Sequence, residues 1–192
     1  MLARLADRID ALNESVGRAI AWLTLGMVLT MFGSVVARYA FDAAAQTVQE
    51  SISWMHAAVF MLGFGYTLVR DEHVRVDLLS RQWSRRTRAA VELGCTVLLL
   101  VPFCALLLIG SLDYVGVSWR IGESSRETGG LPAVYLLKTL IPLAAALLLL
   151  AGFGRALRAV LVLQGRLGAL PPPPAAHGPE GIVERAHRDG DP

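Results

Sequence analysis

The sequence predicts an all-α membrane protein: a bundle of four transmembrane helices, both termini cytoplasmic, with a short interfacial helix in the cytoplasmic loop between helices 2 and 3. Three observations carry that expectation. Of the 192 residues 54% are hydrophobic and only 18% charged, and the mean hydropathy is +0.50, outside the usual range of a soluble domain. Four runs, residues 19–37, 51–69, 93–112 and 139–154, carry no charge and hold 19, 19, 20 and 16 residues. Of the 18 Lys and Arg residues, 14 lie on one side of a chain crossing four times and 4 on the other, which places the richer side in the cytoplasm.

The first span is expected over about 19–40. At about 1.5 Å rise per residue, 19 helical residues cover roughly 28 Å, close to the roughly 30 Å hydrocarbon core. The "FDAAAQ" that follows resembles a signal-peptidase site, but the run exceeds the roughly 7 to 15 residues of a signal core. Arg38 also precedes the alanines, and the leader holds Asp7, Asp10 and Glu14, so the segment is read as a retained helix. Gly26, Thr30, Gly33 and Ala37 form a small-residue stripe suited to close helix contact.

The second span, about 50–70, opens at Glu50. Trp54 stands one turn in, at the level of an aromatic belt, and His56 lies inside the span. Arg38 and Glu50 reach similar depth on one side, where they either form an ion pair or both extend to the interface. The stretch "LVRDEHVRVDLLSRQWSRRTRAAVE" at 68–92 follows, with six arginines. Its charge density suits anionic headgroups rather than nucleic acid. Val76, Leu79 and Trp83 recur at helical spacing, the pattern of a helix lying in the interface.

The third span is expected over about 91–114. Cys95 and Cys104, nine residues apart, fall on opposite helix faces and cannot bridge each other. The fourth, about 132–156, extends its short uncharged run backwards through "LPAVYLLK", where Lys138 carries its ammonium to the interface and Pro132 suits a first turn. Pro102 and Pro142 each remove an i to i−4 hydrogen bond and should bend their helices. Residues 1–165 thus form the transmembrane domain, and the Pro-rich 166–192 reads as a disordered cytoplasmic tail.

Chemistry has few candidates. His73 and Asp77 stand four apart, a spacing available to metal ligands, but no third ligand is near. A haem at His56 would need a second facing histidine, and the others lie in the loop or the tail, so His56 is expected to hydrogen-bond within the bundle or across a subunit contact. No Gly-rich loop, Gly-x-Ser-x-Gly or Cys-x-x-Cys occurs, so neither an enzyme nor a bound cofactor or metal is expected.

The residues "RYAF" at 38–41, Glu50, "FMLGFGYTLVRDEHVRVDLL" at 60–79 and "GGLPAVYLLKTLIP" at 129–142 resemble the small membrane subunit of tripartite ATP-independent periplasmic (TRAP) transporters, the DctQ-like family. The resemblance runs from about 16 to 165, with "EHVRVDLL" its most specific part. Helix 4 departs from it after Pro142, where "LAAALLLL" lacks the glycine often found there, and the proline-rich tail has no counterpart. The resemblance implies an inner-membrane scaffold that holds a large elevator-type permease, which moves carboxylate with sodium, while a periplasmic binding protein delivers the substrate. Arg38, Glu50, Trp54, His56, His73, Asp77 and Pro142 are then structural or partner-interface residues. His73 and Asp77 tie the helix 2 exit to the interfacial segment, and Arg75, Arg81, Arg85, Arg86 and Arg88 meet lipid headgroups. A haem-bearing anchor of a respiratory enzyme and a self-assembling channel or exporter are the readings from other classes.

Overall fold

An uncharged run in hydrocarbon must satisfy its backbone groups internally, and a helix does so within one segment. Each of the four runs is helical in the computed structural model, which describes residues 2–42, 45–71 and 83–166. The helices are α1 (Leu2–Phe41), α2 (Gln46–Val69), α3 (Arg85–Ile121) and α4 (Val134–Leu163), and each is long and apolar enough to cross a membrane. No strand occurs among the described residues. The expected interfacial helix, with His73, Arg75, Asp77 and Arg81, and the tail from 167 onward lie outside them.

The helices outrun the apolar runs. α1 begins at Leu2 rather than near 19, because its leader is amphipathic: Ala6, Ile9, Asn13 and Gly17, at steps of three or four, are buried on one face. α3 begins at Arg85, where the Ser84 hydroxyl accepts from the Thr87 amide at 3.1 Å as an N-cap. α4 starts at Val134, so Pro132 precedes the helix rather than occupying its first turn. Ala133 between them adopts φ 105°, and the Val134 amide donates to the Glu123 carbonyl at 2.9 Å.

The two prolines are housed differently. Before Pro102, α3 opens into a π-helical turn at Thr96–Leu100, with the Val101 amide reaching back to the Thr96 carbonyl. A residue without an N–H leaves a carbonyl unmatched, and the wider turn absorbs the mismatch. α4 runs on through Pro142.

Helices α1 and α2 pack on each other and on α4, and α3 packs on α4, so α4 touches all three others and holds the longest series of buried residues. Close approach falls on glycines. A Cβ at Gly17 would lie 2.3 Å from the Tyr66 ring, at Gly65 2.1 Å from Asn13 Oδ1, and at Gly152 2.2 Å from Leu100. The stripe anticipated for this purpose is less tight: Gly26 faces Met55 Sδ at 3.6 Å and Gly33 has no neighbour within 4 Å. Asn13 is 1% exposed and donates to the Ile9 carbonyl at 3.1 Å. Its Oδ1 has no hydrogen-bond partner among the described residues and is met by the Gly65 Cα–H, a weak donor common where helices touch.

Gly65→Ala drives a methyl into Asn13 and is expected to lower the stability of the purified protein in detergent by about 1–3 kcal/mol. Gly110→Ala, which meets open space, is expected to leave it unchanged or raise it by up to about 1 kcal/mol. Thermal melting monitored by tryptophan fluorescence compares the two.

Candidate functional site

The polar side chains collect at the two ends of the bundle. The basal end is where α1 and α3 begin and α2 and α4 stop; the apical end carries the 122–133 loop. A guanidinium just past an apolar run needs acceptors for several N–H groups at once. Arg155 is the charge that closes the fourth uncharged run. Its Nε donates to Glu92 Oε1 of α3 at 2.5 Å, and its Nη1 to the Leu68 carbonyl at 2.8 Å and to Asp71 Oδ1 at 2.9 Å, at the exit of α2. The side chain is 15% exposed. One turn on, Arg158 Nη2 bonds Asp7 at 3.0 Å and Asp10, both on α1. Arg70, beyond α2, pairs with Glu14 of α1 at 3.3 Å and lies over the Tyr66 ring. Three arginines thereby join all four helices.

The leader acids Asp7, Asp10 and Glu14 are therefore structural partners, a role their position before the first span did not suggest. Arg86, expected at lipid headgroups, donates to the Leu163 carbonyl at 3.3 Å and so caps the end of α4. Arg85 and Arg88 lie in the first turns of α3, exposed and half-exposed. Deeper along α3, Glu92, Cys95, Thr96, Leu100 and Phe103, with Leu68 of α2, line an open groove of about 630 Å³.

At the apical end Glu50 holds the loop. Ser125 Oγ donates to its Oε1 and the Leu131 amide to its Oε2 at 2.7 Å, while Thr47 Oγ1 donates to the Gly129 carbonyl at 2.6 Å. Both oxygens of Glu50 are thus engaged by the α3–α4 loop. The pairing with Arg38 that the sequence admits does not form: Arg38 is exposed and reaches no carboxylate among the described residues. Glu123 accepts from Lys138 Nζ at 2.5 Å and from Ser118 Oγ at 2.6 Å, and Lys138 sits 3.9 Å over the Tyr114 ring. The Lys138 ammonium first, and then the Ser118 hydroxyl, hold the Glu123 carboxyl below its ordinary 4.5. Trp119 Nε1 donates to Thr139 Oγ1 at 2.9 Å and its ring packs on Tyr135. These contacts form a latch between the loop, α3 and α4.

Trp54 is half-buried near the start of α2. His56 is exposed, stacked on Phe60 at 6.3 Å, and its imidazole has no hydrogen-bond partner among the described residues. The structure therefore does not supply the contact within the bundle that was one of its two expected roles. Among the described residues no group of three His, Cys, Asp or Glu is placed to hold a metal.

A family model described as "Tripartite ATP-independent periplasmic transporters, DctQ component" matches residues 27–162. The chain is also 30% identical over 115 residues to the C4-dicarboxylate TRAP transporter small permease protein DctQ of Vibrio cholerae serotype O1. That alignment covers 58% of this chain and 47% of the relative, so the chain spans about half the length of the relative it matches. No solved structure matches the chain.

Replacing Arg155 with Met leaves Asp71 and Glu92 without their shared cation and is expected to cost about 3–5 kcal/mol; Arg155→Met combined with Glu92→Gln should recover part of that loss in the same melting assay. The latch at Glu123 has a stated pH sense. A carboxyl whose folded pKa is depressed stabilises fully above its unfolded value, about 4.5 here, and stops doing so as pH falls through the lower folded value. The melting-temperature advantage of the wild type over Glu123→Gln should be complete at neutral pH and shrink below about pH 4.5.

Proposed function

The chain belongs to the DctQ component family of TRAP transporters, and we propose that it is the scaffolding subunit of a carboxylate uptake system, bracing a large permease subunit in the bacterial inner membrane. The observation that carries this reading is the family match across residues 27–162, which takes in parts of all four helices. Membership implies a tripartite assembly, with a large permease and a binding protein as partners. The relative's printed name supports a C4-dicarboxylate or similar acid as cargo.

The helices support the passive part. A sodium-coupled carrier builds its site from discontinuous helices whose half-ends converge at mid-depth. Here α1, α2 and α4 are uninterrupted, and α3 departs from regularity only in the π-turn before Pro102. Polar contacts gather at the bundle ends instead, where they hold helices and loop in fixed relation. In this reading substrate and sodium bind to the larger subunit, and this chain adds to its stationary part.

The arginine asymmetry supports an orientation with the basal end in the cytoplasm and the 122–133 loop in the periplasm. Arg75, Arg81, Arg85 and Arg88 then face cytoplasmic headgroups, and His73 and Asp77 lie in the connector between α2 and α3. Arg38, Glu50, Trp54, His56 and Pro142 serve helix packing, loop anchoring or subunit contact.

Reconstitution decides the matter. Liposomes holding the large permease and this chain, supplied with binding protein and a sodium gradient, are expected to accumulate carboxylate. Omission of this chain should abolish uptake, and liposomes holding it alone should move nothing. Cargo movement by the isolated chain, or full uptake in its absence, would refute the scaffold role.

A further inference from the structure

His56 is the eleventh residue of the 24-residue α2, about 15 Å from its first residue and about 20 Å from its last at 1.5 Å per residue. It is the sixth residue of the 19-residue uncharged run 51–69, inside a helix apolar enough to cross a membrane. It points out of the bundle, with the Phe60 ring as its described contact. A neutral imidazole carries one N–H and one lone pair, and hydrocarbon satisfies neither. Polar groups at this depth face protein or a water-filled cavity, not lipid.

Gln49, Ser53, His56 and Phe60 recur at i, i+4, i+7 and i+11 and are all exposed, forming one stripe of α2. Ser53 is satisfied within its own helix, donating to the Gln49 carbonyl at 3.4 Å. The exposed residues at comparable positions on the other helices, Leu29 and Phe32 on α1 and Leu106 and Ile109 on α3, suit lipid as they stand. Among these exposed mid-helix positions His56 is the polar one without a hydrogen-bond partner among the described residues.

We propose that this stripe seats a transmembrane helix of the large permease subunit, which presents polar side chains that accept from the His56 N–H and donate to its lone pair. The inference rests on the reading above, in which such a subunit exists. A second copy of this chain fits less well. A single hydrogen bond between two facing neutral imidazoles uses one donor and one acceptor and leaves the other two groups unmet. Lipid tails offer nothing at this depth. Phe60, 60% exposed and edge-on to Phe64, supplies the apolar contact beside the polar one.

The test is site-specific photo-crosslinking of the full chain in native membranes, with the large permease tagged. Phe60→p-benzoylphenylalanine keeps His56 and is expected to give an adduct carrying the permease tag, whereas Leu106→p-benzoylphenylalanine on α3 is not. Adducts of Phe60 with a second copy of this chain, or capture of the permease from Leu106 but not from Phe60, would overturn the assignment while leaving the scaffold reading intact. Failure of the permease to co-purify with the wild-type chain would defeat both. As a second readout, His56→Leu should reduce co-purified permease about three- to tenfold, the effect of losing its interhelical hydrogen bonds, and His56→Gln should restore most of it. Undiminished recovery with His56→Leu would also reject the assignment.

Discussion

Arg155 is the constraint around which the basal half is arranged. A guanidinium placed one residue beyond a 16-residue uncharged run is stable only if its donors find acceptors in a region largely closed to water. It finds them on two neighbouring segments: a carboxylate on α3, and a carbonyl and a carboxylate where α2 ends. Those bonds decide where α2 stops relative to α3, and they place Asp71 at φ 58°, a conformation disfavoured for a residue with a side chain. Arg158 repeats the device toward α1. α4 is consequently the helix through which the others are related.

Between the polar ends, proximity comes from the absence of side chains. Gly17 and Gly65 admit the Tyr66 ring and the Asn13 amide, and Gly152 admits Leu100, so the helix backbones approach closely without a large apolar core. That suits hydrocarbon, where apolar burial contributes little to association because the lipid is as apolar as the side chains. Packing is local, and broad faces of α1 and α3 remain covered with exposed Leu, Val, Phe and Ile. Such faces suit lipid or a partner's helices, provided the internal geometry does not yield. The basal arginines and the apical latch at Glu50 and Glu123 supply that resistance.

The same logic singles out His56. Every other polar side chain discussed here finds a partner in the chain, lies at an end of the bundle, or, like Asn13, is buried against it. The His56 imidazole lies inside the span with no hydrogen-bond partner among the described residues. Exposed leucines on a membrane helix suit lipid or partner alike; an exposed histidine inside the span does not suit lipid.

Helix count, helix order and family were legible in the sequence, because uncharged runs long enough to cross hydrocarbon and the motifs at 38–41, 60–79 and 129–142 are local properties. The partners were not. Glu50 stood out as a charge at a helix head, but the group that answers it belongs to a loop 75 residues away, at Ser125, rather than to the nearer Arg38. Arg155 was visible only as the end of a run, and the leader acids only as evidence about a signal sequence. Their roles arise from which helix faces meet. That is settled by shape, by where a glycine lets two backbones approach, and by the turn Ala133 makes before α4. The chain's own composition determined that it enters the bilayer as helices; the tertiary structure decided which charges meet, because pairing energies depend on distances that no spacing along the chain contains.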